Sequence, residues 1–520
     1  MKKTLLASLA LLLGWGGTAF AQTETDALRY SQLGVFGTAR IQGMGGAQTA
    51  LGADISSLSG NPAGLGMFRR SEFTITPGVQ SVENRSSISS ERNTGSNSNF
   101  VLPQMGVVVS NRRGDSDDSD WRGTTFGIGF TRLNNFNSEF NYTNVASPPN
   151  TIVDYFADRA NNRALSANET LLGSLDAEYS GGIQTLEGLA YGTYLIDVFE
   201  DDNGQYAEPL YTIGSSNQQE EVKRSGSQSQ IDIGVGTSYK DRIYLGASLG
   251  IMTTDFRQES YFRESGRYIA SFGETADEDI ESDYNLALRD EFTTRGAGVN
   301  LKVGIIARPI DALRLGLSIQ TPTAYTFNDE YQSSISATTL NLTTSRSETL
   351  NEATVPGEFN YRLTTPFRAS GGVAYFISKY GFLTAEVEYV GYDNMSFSED
   401  DDFSSSSDYF TNLNNRISNT FQSAVNYKIG AEGRYEIFRF RAGYAHSGDP
   451  YKSSELDGAI KAYTLGAGIR LKNFYLDLAY VNSEAQERYS PYTFSSGGGE
   501  PLVDIDRKQN TVALTLGVNF

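Results

Sequence analysis

Hydrophobic and polar residues alternate with a period of two over long stretches of this chain. Along residues 509–520, Val512, Leu514, Leu516, Val518 and Phe520 share one face of a strand, while Ala513, Thr515, Gly517 and Asn519 share the other. The same division recurs upstream. Ile231, Ile233 and Val235 oppose Asp232, Gly234 and Gly236, and Phe438, Phe440 and Tyr444 oppose Arg439, Arg441 and Gly443. Followed from end to end, the alternation predicts fourteen strands: near 72–80, 101–110, 122–132, 228–239, 242–254, 295–307, 312–321, 368–377, 382–392, 422–433, 436–446, 460–471, 474–484 and 508–520. An apolar face backed by a small or polar one suits a soluble sandwich, where it is the core. It also suits a membrane barrel, where it meets lipid.

Connection length separates the two. The links after the even-numbered strands are short, such as Lys240-Asp241 and Lys472-Asn473, and those after the odd-numbered strands are longer, up to 133–227. Strict alternation of short and long links, with an even strand count, is the mark of periplasmic turns and outside loops. The expected fold is all-β: a 14-stranded antiparallel transmembrane β-barrel with both termini periplasmic. Helix-like apolar spacing in 151–167 and 170–199 predicts helices within the 133–227 loop, whereas 86–99 and 404–407 read as low-complexity linkers. Residues 22–71 precede the first strand and are long enough to fill a lumen.

Composition adds compartment and excludes partners. Met1-Lys2-Lys3, an apolar run from Leu5 to Leu13 and Ala19-Phe20-Ala21 read as a signal peptide over 1–21. The division is then 1–21 signal peptide, 22–71 plug and 72–520 barrel. There is no cysteine, hence no lipidation site, disulfide or Cys-metal framework. The net charge of −20 argues against nucleic acid. Its acidic runs read as solvated loop tips. A secreted chain rich in Gly (53), Tyr (30) and Phe (29) fits the outer membrane of a Gram-negative cell, among its lipid and lipopolysaccharide. The terminal Phe520 reads as an address for the barrel-assembly machinery. Enzyme chemistry is not expected. His446, at the outer end of the eleventh strand, is the one histidine, and no G-x-S-x-G elbow occurs. Glu386, Glu388, Arg439 and Arg441 fall on lumen-facing positions and read as a salt-bridged interior. No catalytic, cofactor or metal residues are assigned.

Residues 37–65 read G-T-A-R-I-Q-G-M-G-G-A-Q-T-A-L-G-A-D-I-S-S-L-S-G-N-P-A-G-L. With the Gly-Met-Gly-Gly turn, Asp54 and Asn61-Pro62-Ala63-Gly64-Leu65 just before strand one, this segment resembles the N-terminal hatch of the FadL/TodX family of outer-membrane transport proteins. Leu315–Pro322, Pro366–Tyr375, Ala385–Val390, Phe440–Tyr444 and Leu476–Tyr480 resemble later segments of that family. The resemblance implies a monomeric barrel plugged by its hatch. It also implies uptake of hydrophobic small molecules, such as long-chain fatty acids or aromatic hydrocarbons, with lateral release into the bilayer. Gly43, Gly45, Gly46, Asp54, Asn61, Pro62, Ala63 and Gly64 are then the candidate hatch or gating residues. Gly43, Gly45 and Gly46 permit positive φ, and Pro62 restricts Asn61, so a segment built of turns is expected. Such a plug could be movable or fixed. The alternative role is a FadL-like accessory barrel of an outer-membrane protein secretion system. The family's ligand-pocket residues do not align here.

Overall fold

A computed structural model of the chain describes residues 23–88, 91–114, 117–210, 213–270, 280–341, 346–400 and 407–520. The signal-peptide reading falls outside these residues. Fourteen strands form the barrel: β1 (Glu72–Ile88), β2 (Glu91–Arg112), β3 (Trp121–Asn135), β4 (Ile213–Tyr239), β5 (Ile243–Ala270), β6 (Ile280–Ile310), β7 (Leu313–Gln320), β8 (Arg368–Ile377), β9 (Gly381–Gly391), β10 (Ser423–Tyr435), β11 (Phe438–Ser447), β12 (Ile460–Arg470), β13 (Phe474–Tyr489) and β14 (Val503–Asn519). Each contains one predicted strand, give or take its end residues. Neighbours pair antiparallel, and β14 returns to β1, from Glu72 opposite Asn519 to Ser87 opposite Asp504, so the sheet closes.

Burial decides which face meets lipid. Ile233 is 51% exposed, Leu317 60%, Leu465 61% and Val518 48%, whereas Asp232, Thr515 and Asp477 are buried. A soluble sandwich would invert this. No described helix is long and apolar enough to cross a membrane. The turn between β4 and β5 places Lys240 and Asp241 both at φ 52, the left-handed geometry of a tight hairpin turn.

On the opposite side the strands outrun the bilayer. β4, β5 and β6 have 27, 28 and 31 residues, against about 10 needed to span. Further strands extend this outer sheet: Ser138–Ala146 pairs with β4, Ala324–Asn341 with β6, and Gly357–Thr364 with Ala324–Asn341. The described residues of 86–99, a stretch expected as a linker, belong to β1 and β2, with Ser86 opposite Asn93 and Ile88 opposite Glu91. Cross-strand pairing satisfies this polar backbone, so composition misleads there. Of 404–407, residues 404–406 lie outside the described residues and Ser407 opens the helix Ser407–Thr420.

The expected helix in 151–167 is Ile152–Asn161, begun by a Thr151–Asp154 capping box. The expected 170–199 helix is instead two, Leu171–Gly181 and Leu186–Gly192, followed by a hairpin of Ile196–Asp201 and Gly204–Pro209. Gly182, at φ 112, ends the first. Phe156, Leu175 and Leu189 bury their apolar faces with Phe262, Leu286 and Ile335 of the outer sheet.

Candidate functional site

The segment before β1 fills the lumen in two parts. The first is a helix the sequence did not reveal, α1 (Glu24–Ser31), capped by a Thr23–Asp26 box. The second is the hatch. The expected turns are present, tightened into short helices at Ala39–Gln42, Ile55–Leu58 and Pro62–Met67.

Each expected hatch residue has a local task. Asp54 caps Ile55–Leu58 by accepting from the Ser56 N–H at 3.0 Å, and it accepts from the Thr38 hydroxyl at 3.0 Å. Asn61 caps Pro62–Met67 by accepting from the Ala63 N–H, and its Nδ2 donates to the Thr49 carbonyl at 2.7 Å. The same Nδ2 reaches the Leu317 carbonyl of β7 at 3.2 Å and that of Ile305 of β6 at 3.3 Å, so one amide ties the plug to two wall strands. Pro62 starts its helix, where a missing N–H costs nothing. Ala63 is fully buried with Tyr244 and Ile306 of the wall, and Gly64 lies against Ser57 and Gly52. Gly45 and Gly46 adopt φ 68 and 77. Gly43 does not share that geometry: its φ is −65, and the constraint there is the nearby backbone of Gly466.

The barrel wall is correspondingly bare where the hatch touches it. A methyl group at Gly246 would meet the carbonyl of Pro62, at Gly316 that of Thr49, at Gly430 that of Met44, and at Gly443 the N–H of Gly45, all inside 3.0 Å. The hatch thus sits in a glycine collar spread over β5, β7, β10 and β11, in the periplasmic half of the barrel.

Charged side chains of the wall, paired with one another, fasten it further through hydrogen bonds. The Glu386 carboxylate accepts the backbone N–H groups of Gln48 and Thr49, both at 2.9 Å, and its other oxygen accepts from Lys428 at 2.9 Å. Glu388 pairs with Arg368 at 3.0 Å and Lys428 at 3.7 Å. Arg368 also donates to the Ser31 carbonyl at the end of α1. The expected luminal charges therefore divide. Glu386 and Glu388 join Lys428 and Arg368. Arg441 joins Glu432 and Asp477, at 2.8 and 2.7 Å. Arg439 lies at the periplasmic edge, donating to the carbonyls of Glu436 and Phe438. Lys302 and Asp232 form another buried pair at 3.5 Å, with the Ser59 hydroxyl donating to Asp232 at 2.6 Å.

Between the hatch and residues 33–36 is a chamber of about 60 Å³, walled by Lys302, Arg368, Glu386, Glu388 and Lys428, with room for a few water molecules. Above it α1 lies in an apolar cluster with Phe136, Phe256, Phe327, Tyr361 and Tyr392.

The wall has a seam beside this cluster. The β2–β3 ladder runs from Arg112 opposite Gly123 to Gln104 opposite Thr131 and goes no further among the described residues. Next along β2 is Pro103, which has no N–H to donate. Above that point, among the described residues, β2 pairs with β1 alone and β3 with β4 alone, the latter across a register shift between Arg132 and Asn134. The amide of Asn135 reaches that of Asn99 across the seam at 3.4 Å.

A Pseudomonas aeruginosa FadL homologue of known structure aligns over 94% of this chain and all of its own, with a TM-score of 0.54 and 12% identity. The chain has the FadL fold. The toluene transporters TodX of P. putida and TbuX of Ralstonia pickettii also align, each at a TM-score of 0.47, with 12% and 14% identity, over 94% and 95% of this chain and 99% and 100% of theirs. No protein-family model and no curated protein matches the sequence. This FadL-type barrel, with its lipid-facing apolar belt, is an outer-membrane protein. His446 lies at the outer end of β11, stacked on Tyr427 with ring centroids 4.6 Å apart.

Proposed function

We propose that the protein is a conduit for hydrophobic small molecules across the polar outer leaflet, entering above the hatch and leaving sideways through the β2–β3 seam. One observation carries this reading: the wall loses its ladder above Pro103, beside the aromatic cluster that holds α1. An apolar solute crosses hydrocarbon readily, so the conduit need only bypass the lipopolysaccharide.

The hatch is the fixed plug in this reading. Moving it would strip the wall carbonyls from Asn61, leave Glu386 without the amides of Gln48 and Thr49, and drag backbone through the glycine collar. It would also part Arg40 of the hatch from Glu432 of the wall, 3.8 Å apart and both largely buried, and breaking a buried ion pair costs about 3–5 kcal/mol. The part free to move is α1, tethered through residues 32–36.

A disulfide lock tests the seam. Asn99→Cys with Asn135→Cys joins β2 to β3 in a chain with no other cysteine. Oxidation should abolish uptake of a hydrophobic probe into cells, and reductant should restore it. Undiminished uptake with the cross-link complete would exclude the seam as the exit. An accessory role in secretion would survive the lock, since it makes no use of the seam.

A further inference from the structure

The periplasmic underside of the plugged barrel is lined with arginine, in a chain whose net charge is −20. Arg434 of β10 lies directly opposite Arg439 of β11, as the first lumen-facing pair above the turn that joins the two strands. Arg470 of β12 turns inward toward Asp477, and Arg314 of β7 donates to the hatch carbonyl of Leu51 at 2.6 Å. Aromatic rings carry these cations. Arg314 lies over Phe376 at 4.2 Å, Arg434 over Phe382 at 5.2 Å and Arg470 over Tyr475 at 4.3 Å. Cation and ring thus follow one another from β7 to β13, close beneath the hatch.

Folding does not ask for this much charge. Like charges directly opposite in a ladder are destabilising. The carboxylates within reach are shared: Glu432 between Arg434 and Arg441, both at 2.8 Å, and Asp477 between Arg441 at 2.7 Å and Arg470 at 3.7 Å. Arg439 has no carboxylate partner among the described residues, and donates instead to the carbonyls of Glu436 and Phe438. Arg314 Nε is buried without a hydrogen-bond partner. Of the turn carboxylates nearby, Glu436 and Asp311, the second is held by Arg308 at 3.1 Å. With Arg40 of the hatch and Arg441, the cup holds six arginines against Glu432, Asp477, Asp54 and Glu72, two positive charges in excess.

We propose that this underside docks an acidic segment of a periplasmic protein, an extended stretch carrying carboxylates in series. Three features choose that occupant. The hatch closes the cup from above, so a ligand arrives from the periplasm. The arginines face the lumen rather than the bilayer, so lipid headgroups do not reach them. Arg314 and Arg470 stand five strand spacings apart, about 24 Å along the wall, too wide for one phosphate and matched by about seven extended residues. A guanidinium laid on a ring keeps its edge free for a bidentate grip on a carboxylate. The surface lies on the other side of the hatch from the seam and does not depend on the conduit reading.

The probe is a fluorescent peptide of ten glutamates, added to the full mature protein in detergent and followed by anisotropy. It should bind at low salt and weaken steeply as salt rises. Arg439→Glu should weaken binding about ten-fold. Lys461→Glu, the same change of charge at the outer end of β12, should leave it unaltered. Arg439 touches only carbonyls of its own turn, so its variant should keep the heat-modifiable fold on gels. A second readout alters no arginine. A maleimide on the decaglutamate should label Lys472→Cys, in the turn after β12, about ten-fold faster than the same maleimide on ten serines. No binding at low salt, equal losses in Arg439→Glu and Lys461→Glu, or equal labelling by the two peptides would each overturn the proposal. Displacement by inorganic phosphate far beyond that by chloride of equal ionic strength would also overturn it, assigning the cup to a single small anion.

Discussion

Lys428 Nζ lies 2.9 Å from Glu386 Oε1, and the other oxygen of that carboxylate is held by the plug's own backbone. One buried side chain thus joins a wall strand, a neighbouring strand and the hatch. Glu386→Ala leaves Lys428 buried with only the longer contact to Glu388 and leaves two hatch amides without an acceptor. The expected loss is on the order of 3 kcal/mol. It should appear as a lower heat-modification midpoint on gels and as current flicker in planar bilayers. Glu386→Gln keeps an acceptor and should cost less. A silent, fully stable Glu386→Ala barrel would remove this latch.

The glycine collar makes a sharper claim about close approach. At Gly443 a methyl group meets the Met44–Gly45 backbone, whereas at Gly433, ten residues earlier, nothing lies within 4 Å. Gly443→Ala should loosen the hatch and raise conductance, and Gly433→Ala should resemble the native protein. Equal behaviour of the two in bilayer recordings would count against a tightly seated plug.

Sidedness can be read with single cysteines. Asn203, at the tip of the outer hairpin, should react in intact cells with a membrane-impermeant maleimide once replaced by Cys. Lys472→Cys, in the turn between β12 and β13, should react only after the cells are opened. Labelling at 472 in sealed cells would invert the barrel.

Assembly has its own handle. Phe520 is 70% exposed at the end of the closing strand, and its N–H donates to the Ser71 carbonyl at 3.0 Å. Removing Phe520 should lower the amount of folded, heat-modifiable protein in the outer membrane at low expression. Unchanged assembly would show that the terminal aromatic is not read.

The barrel was legible because its signal is local and repeated: a two-residue period that puts Leu317 out and Ser318 in needs only the strand itself. The outer extension was less so. Strands such as Ala324–Asn341 lie outside the bilayer, lack the lipid-facing stripe, and owe their pairing to partners far along the chain. The hatch was readable from Asn61-Pro62 and its glycines, yet Gly43 shows that a glycine can be needed for clearance rather than for φ. Glu386, Glu388 and Arg441 were identifiable by face, but their partners were not. Lys428 and Glu432 sit opposite Tyr427 and Ile429 on a predicted strand, so the same alternation could have found them. The helix α1 gave little warning, being eight residues whose apolar side is defined only by the aromatic box around it. The β2–β3 seam is an absence of pairing and leaves one local trace, Pro103.

The plug also imposes an order on biogenesis. Ala39 donates its backbone N–H to Thr515, 476 positions later, and the other anchors of the hatch are spread over β2 to β12. The hatch, which precedes every wall strand along the chain, therefore has no complete seat until β14 is in place. Every molecule passes through a stage in which the ring is closing around an empty lumen, and the cell must shelter that stage or tolerate a brief leak.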